Sequence, residues 1–309
     1  RRNVVKRVSG KRTVPALVDA HRDSIEDCLA IVDCCRPQAS RKVNPEEQFP
    51  QPEFSEKVDQ IIKAAQALKE DGWIDRIYYL TPDDDLISEV QWKYARGLVD
   101  ETHDSNGSGW VSYLAAFEEV NTNYMVHYDA DMLIYQENGY SWIKKGRRVL
   151  EKNRDVVAVS PRVAPPFQEE TGLSDATSRN DLESDAVSKE ESDHWKVYWF
   201  STRCFLVNVN RLKQYAPFVS GTYALEVLAR RLLNRGYPPS PEKMIHKTVT
   251  EPRRGYRADI KTEKAFILHP NEKNKLFVEN VEKIIKKLEN KDIPSKQRGW
   301  ENLKLEEWI

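Results

Sequence analysis

Short apolar runs alternate along the first half of this chain with stretches whose apolar positions recur three and four residues apart, a pattern of strands separated by helices. Val14 to His21 is rich in β-formers and reads as a first buried strand. Ser24 then precedes Ile25, Cys28, Leu29, Val32 and Cys35 at helical spacing, and Pro37 ends that run. Residues 38–53 are polar, with three prolines, and read as a loop. Ser55 opens a helix carrying Val58, Ile61, Ile62, Ala65 and Leu68, and Ile74 to Leu80 forms the second strand. That strand runs into the acidic turn Thr81-Pro82-Asp83-Asp84-Asp85. Helices follow from about Ile87 to Val99 and, after the turn Asp104 to Gly109, through Leu114, Ala115, Phe117 and Val120. The strand Tyr124 to Tyr128 ends in Asp129-Ala130-Asp131, and a helix (Trp142 to Asn153) and a strand (Val156 to Ser160) complete the alternation. Such a βαβα order predicts an α/β fold, Rossmann-like, with a mainly parallel sheet covered by helices on both faces.

The second half is less regular. Residues 164–194 are acidic and serine-rich with few large apolar groups, which predicts a mobile or disordered loop, a plausible lid over a site. Lys196 to Val209 reads as strands, and Tyr223 to Asn234 as a helix stopped by Gly236 and Pro238. After Ala265 to Pro270, the stretch Leu276 to Leu288 is an amphipathic, lysine-rich helix. Trp300, Leu303, Leu305 and Trp308 in the tail predict that it packs back on the body or on a partner. The expected organisation is one domain over 12–272 and a helical extension over 273–309.

Composition narrows the class. The chain has 309 residues, 39% hydrophobic and 31% charged, enough apolar material for a core inside a charged surface. Lys+Arg number 48 against 49 Asp+Glu, and a net charge of −1 argues against a general nucleic-acid binder. Cys28, Cys34, Cys35 and Cys204 form no CxxC pair and read as reduced structural thiols. No apolar run approaches the roughly 20 residues that cross a bilayer. A cytoplasmic location is the expectation, with the reservation that the chain opens at Arg1 and a targeting segment can have preceded it.

The chemistry concentrates at Asp129 and Asp131. Two carboxylates one residue apart at a strand end can hold a hard divalent cation that bridges to substrate phosphates. The same pair also reads as a solvated acidic turn. The segment Asn106 to Asp131, in which a glycine-containing turn opens a helix and a small loop leads to a strand ending in Asp-x-Asp, resembles the central signature of family 2-like glycosyltransferases with the GT-A fold. The likeness extends more loosely from Val14 to about His269.

That resemblance implies metal-dependent transfer of a sugar from a nucleotide-sugar donor, UDP being the first choice, to a hydroxyl of a glycan or glycoconjugate. Asp131 would bind Mn2+ or Mg2+, and Asp129 the ribose or the metal through water. Ala20, His21 and Arg22 match the segment lying along the nucleotide base; Asn106 and Ala130, within the matched stretch, join the donor contacts. The family's base-binding acid follows the second strand, where this chain has Thr81-Pro82 before Asp83, the acid chosen here for that role. His269, closing Phe266-Ile-Leu-His, is the expected further metal ligand, and imidazole suits Mn2+. Arg254, among Arg253, Tyr256 and Arg257, is a candidate for the departing diphosphate, and Arg203 for donor or acceptor. Arg231-Leu232-Leu-Asn-Arg-Gly236 reproduces the family's helix end, but the acidic pair expected before it is Ala224 and Leu225. Glu226, the nearest acid, is the candidate catalytic base.

Two other classes compete. A sugar-phosphate nucleotidyltransferase would carry a glycine-rich loop after its first strand, and Asp19 to Asp23 contains no glycine. A non-catalytic carbohydrate- or nucleotide-binding protein on a degenerate GT-A fold is favoured by the missing acidic pair and disfavoured by the intact Asp129 and Asp131.

Overall fold

The chain was described as a computed structural model covering residues 2–167, 187–190, 193–271 and 274–309. Most of the expected 164–194 loop therefore lies outside the described residues. In chain order the elements are α1 (Arg2–His21), β1 (Leu29–Asp33), α2 (Pro45–Gln48), α3 (Glu53–Glu70), β2 (Arg76–Leu80), α4 (Asp85–Ala95), α5 (Trp110–Glu119), β3 (Tyr124–Tyr128), β4 (Leu133–Gln136), α6 (Trp142–Lys152) and β5 (Val156–Ser160). They continue with β6 (Val187–Glu190), β7 (His194–Val197), β8 (Cys204–Asn208), α7 (Val209–Lys213), α8 (Gly221–Leu232), α9 (Pro241–Ile245), β9 (Tyr256–Ile260), β10 (Ala265–Leu268) and α10 (Lys275–Glu289).

These elements form two compact units, one of residues 1–26, 126–207 and 255–309, the other of residues 27–125 and 208–254. The protein is α/β, as the alternation predicts. Its sheets are mixed: β1–β2 and β5–β9 are parallel, whereas β4–β10, β5–β8, β6–β7 and β7–β9 are antiparallel. Among the described residues no helix is long and apolar enough to cross a membrane, and all four cysteines are free.

The beginning of the chain corrects the sequence reading. Residues 14–21 are not a strand but the end of α1, whose Thr13, Leu17 and His21 are buried four residues apart. That is a helical face, yet two of its three members are polar, so hydrophobic periodicity did not reveal it. The first strand is instead β1, inside the stretch read as a helix: five consecutive residues from Leu29 pair in parallel with Arg76–Leu80. A short apolar run fits either period, and the β-branched Ile31 and Val32 together with a parallel partner decide for strand.

In the second unit α3 joins β1 to β2 as a parallel crossover, and α3 and α5 pack on β1. Asp84 caps α4, its side chain accepting from Leu86 N. Tyr94 of α4 is fully buried and stacks on Phe218 at 5.3 Å between centroids.

In the first unit the strand order is β3-β8-β5-β9-β7-β6, and β4 pairs with β10 as a separate ribbon. Asn274 caps α10, which buries Phe277, Val281, Ile284 and Leu288 along one face. They meet Leu133 and Tyr135 of β4, Phe266 and Leu268 of β10, and Ile293, Leu303, Leu305 and Trp308 of the tail. Each such side chain contributes roughly 1.5–3 kcal/mol by leaving water, so the tail is part of the core, as its aromatic spacing predicts.

His21 ends α1 as a buried support. Its Nε2 lies 2.7 Å from the Tyr128 hydroxyl, which also accepts a hydrogen bond from Trp142 Nε1 at 2.9 Å. Burial lowers its pKa from 6.5 to about 4, with the Ala20 backbone countering only in part. The unfolded chain thus binds this proton first as the pH falls. The contribution of neutral His21 is complete above about pH 6.5 and is lost as the pH drops towards 4, a change of about 3 kcal/mol. Urea midpoints measured from pH 7 to pH 4 should fall steeply in the native protein and less in His21→Gln; parallel curves would refute this account.

Candidate metal centre

The Asp129-Ala130-Asp131 turn is set where β3 gives way to β4. Met132 N donates to Asp129 O at 3.0 Å, closing a tight turn, and Asp129 N donates to Arg203 O at 2.9 Å. The buried Thr13 hydroxyl of α1 donates to Ala130 O. These three backbone anchors fix the turn before any side chain acts. Asp131 is 2% exposed, and Asp129 Oδ1 lies 3.5 Å from Nε2 of His127, whose ring stacks on Phe205.

The third member arrives by strand pairing. β10 runs antiparallel to β4 with Leu268 opposite Leu133, so His269, one residue past β10, is carried to the residues just ahead of β4. Carboxylate oxygens of Asp129 and Asp131 and a ring nitrogen of His269 all lie within 4.8 Å of one another. Two hard oxygens and an imidazole form a donor set that suits Mn2+ and is compatible with Mg2+.

His269 is itself held from behind. Its backbone N donates to Glu301 O at 3.0 Å, and Leu303 N donates to its carbonyl at 2.9 Å. Its Nδ1 lies 2.8 Å from Asn271 Oδ1, a contact that orients the ring. Asn271→Ala should therefore weaken Mn2+ binding by about 10- to 100-fold, read by calorimetric titration; unchanged affinity would remove Asn271 from the centre.

Of the residues singled out in the sequence, Asp129, Ala130, Asp131, Arg203 and His269 come together. The Arg203 guanidinium sits 3.4 Å from Asn302 Oδ1 and 4.0 Å from Glu301, beside the strand register of His269 and Asn302. Ala20, His21 and Arg22 do not end a strand: His21 is internal, and Arg22 is exposed and paired with Asp19 at 3.0 Å. Buried and bonded to Tyr128, the His21 imidazole is not free to lie along a nucleotide base.

The remaining candidates belong to the second unit. Asp83 is exposed in the turn after β2, while its neighbour Asp84 accepts from the Tyr78 hydroxyl at 2.7 Å. Asn106 Oδ1 accepts from Lys42 Nζ at 3.0 Å. Arg254 is exposed and its carbonyl accepts from the Tyr215 hydroxyl at 3.1 Å, whereas Arg257 is no loop residue but a buried member of β9, paired with Asp259 at 2.7 Å. Glu226 is paired with Arg230 at 2.7 Å and Lys243 at 3.8 Å. Burial pushes its carboxyl up, but the Arg230 hydrogen bond and the surrounding cations outweigh this and hold it below the usual range.

One polar cluster was missed because β1 was read as a helix. Asp33 ends β1; its Oδ1 accepts from Cys35 N at 3.0 Å, and its buried Oδ2, which accepts no hydrogen bond, lies 3.7 Å from His103 Nε2. Burial lowers the pKa of His103, although Asp33 and Asp104 act to raise it. A Cβ on Gly109 would stand 2.2 Å from Asp33 Oδ2, so only glycine lets α5 begin this close to the carboxylate. The cluster occupies the carboxyl end of a parallel strand, where α/β folds bind ligands. The acid closing an apolar run followed by Cys-Cys-Arg-Pro was the available signal.

Compared with models of known protein families, with curated proteins and with solved structures, the chain matches none.

Proposed function

We propose that this protein is a metal-dependent glycosyltransferase of the GT-A type, working in the cytoplasm, that moves a sugar from a nucleoside-diphosphate donor to a hydroxyl of a glycan or glycoconjugate. The observation that carries the reading is the meeting of Asp129, Asp131 and His269. Asp129 and Asp131 form one local motif, whereas His269 stands 138 residues beyond Asp131 along the chain.

Bound there, Mn2+ or Mg2+ would neutralise charge on the departing diphosphate. The residues around it set position and field. Asp131, nearly sealed from water, presents its carboxylate from a turn fixed by backbone hydrogen bonds. The Arg203 guanidinium adds a permanent positive charge, with a planar fork suited to phosphate. Glu226 stays the candidate base for the acceptor hydroxyl. Its ion pairs keep it ionised and ready to accept a proton but make it a weak base, so its partners must loosen as the acceptor binds.

That same pairing, with Ala224 and Leu225 where an acidic pair is expected, favours a second reading as a binding protein without turnover. Thermal unfolding with UDP-, GDP- and dTDP-sugars, with and without Mn2+, tests both. A metal-dependent rise with one nucleotide plus slow donor hydrolysis supports the transferase. A rise without hydrolysis, whatever the acceptor, supports the binding protein, and no rise with any nucleotide overturns both.

A further inference from the structure

We propose that α8 is a docking surface for an anionic lipid bilayer. The helix is apolar on its outward side. Tyr223 and Val227, one turn apart, face inward and are buried, whereas Leu225, Leu228 and Leu232 recur at i, i+3 and i+7 on the opposite side, 68%, 38% and 88% exposed. Leu233, next along, is 69% exposed. A surface helix ordinarily turns its polar side to water, and three leucines in one outward stripe, with a fourth exposed at its end, call for a cover.

Charge decides what covers them. The helix and its exit carry Arg230, Arg231 and Arg235 against the single acid Glu226, itself paired with Arg230 and Lys243. Arg231 pairs with Asp100 at 2.7 Å and lies over the Tyr237 ring, so its guanidinium is held at the flank of the stripe. Arg235 is exposed where the helix ends. A stripe of leucine bordered by arginine matches a bilayer surface, the leucines entering the acyl boundary and the arginines meeting phosphate.

A second copy of the chain fits less well. A two-fold interface sets the same patch against itself, and the acids beside these arginines, Glu226 and Asp100, are already paired with Arg230 and Arg231. Four leucine side chains, even wholly covered, also fall short of the roughly 800 Å2 that each partner gives to a stable interface. The stripe takes no residue from the metal centre, and Glu226, the candidate base, lies on the same helix outside it.

The test is co-sedimentation of the full chain with vesicles of phosphatidylcholine alone or mixed with phosphatidylglycerol, at low and high salt. The native protein should pellet with the mixed vesicles at least about tenfold better than with the neutral ones, and less as salt is raised. The Leu232→Glu, Leu233→Glu double variant changes only exposed positions, and its circular dichroism and urea midpoint should match the native protein while vesicle binding is lost. Arg235→Glu should weaken binding to the mixed vesicles alone. No pelleting of the native protein, or equal pelleting of a folded double variant, overturns the proposal. So does a native dimer in light scattering that the double variant dissolves without any vesicle binding, which would give the stripe to a second copy.

Discussion

Asp131→Asn should abolish the metal-dependent stabilisation by nucleotide sugar while leaving the unliganded protein folded. A ligand present at a hundred times its Kd stabilises by about 2.7 kcal/mol, which in a unit of this size raises Tm by roughly 5–10 °C. That rise depends on ligands that hold the ion, and Asp131 is the most buried of the three. Asparagine keeps the shape and loses the charge, so the turn closed by Met132 N and Asp129 O persists. Donor turnover should drop by at least about 100- to 1000-fold, the loss expected when a stabiliser of developing negative charge is removed. A variant that keeps its Mn2+-dependent rise would place the donor site elsewhere. One that unfolds would make Asp131 a structural residue and leave Asp129→Asn and His269→Gln to decide the site.

The largest purely structural loss should come from Trp308→Ala, about 3–5 kcal/mol, the range for emptying a buried aromatic site. Trp308 is fully buried, its Nε1 donates to Gln297 Oε1 at 3.0 Å, and its carbonyl accepts from Lys287 Nζ of α10. Gln297, also fully buried, donates through Nε2 to the carbonyls of Trp300 and Asn302, and its Oε1 accepts from Lys304 N. Removing the indole thus opens a cavity and strips a partner from the amide that organises residues 300–304. Urea unfolding should show the drop in midpoint. Trp92→Ala, at a residue 71% exposed, should stay within about 0.5 kcal/mol of native and serves as the control. Equal effects of the two changes would mean that the tail does not belong to the core.

Where the sequence was legible, one pattern dominated. β3 and β5 begin and end where the apolar runs do, and α3, α6, α8 and α10 lie within a few residues of their periodic stretches. Each has one buried face and one wet face, or a short run enclosed by turn residues, so a single pattern serves. α1 and β1 were exchanged because neither does: the buried face of α1 rests on Thr13 and His21, and β1 is an apolar run short enough to fit both periods. β4 and β9 went unread for a related reason. β9 is buried throughout yet carries Arg257 and Asp259, whose mutual ion pair lets charge sit inside a sheet, and that compensation is invisible until the fold brings the strand in.

The site divides along the same line. Asp129 and Asp131 are local, and the resemblance of residues 106–131 to a family signature marks them where spacing alone would not. His269 was reached through the same resemblance, helped by its place at the end of an apolar strand, and what brings it to the two acids is the β4–β10 register, a pairing with no local signal. Asp33 and His103 are the converse, two ordinary residues whose closeness depends on a strand that the periodicity misassigned.

The clasp on His269 sets an order of events during synthesis. The acids of the turn leave the ribosome with the first half of the chain, whereas residues 301 and 303, which bracket His269 by backbone hydrogen bonds, follow near its end. A nascent chain can shape the whole second unit and the acidic turn while the third ligand still lacks its seat. The backbone of residues 301–303 thus both joins the core and seats His269, so a chain cut before residue 301 would keep Asp129 and Asp131 but lose the clasp on the histidine.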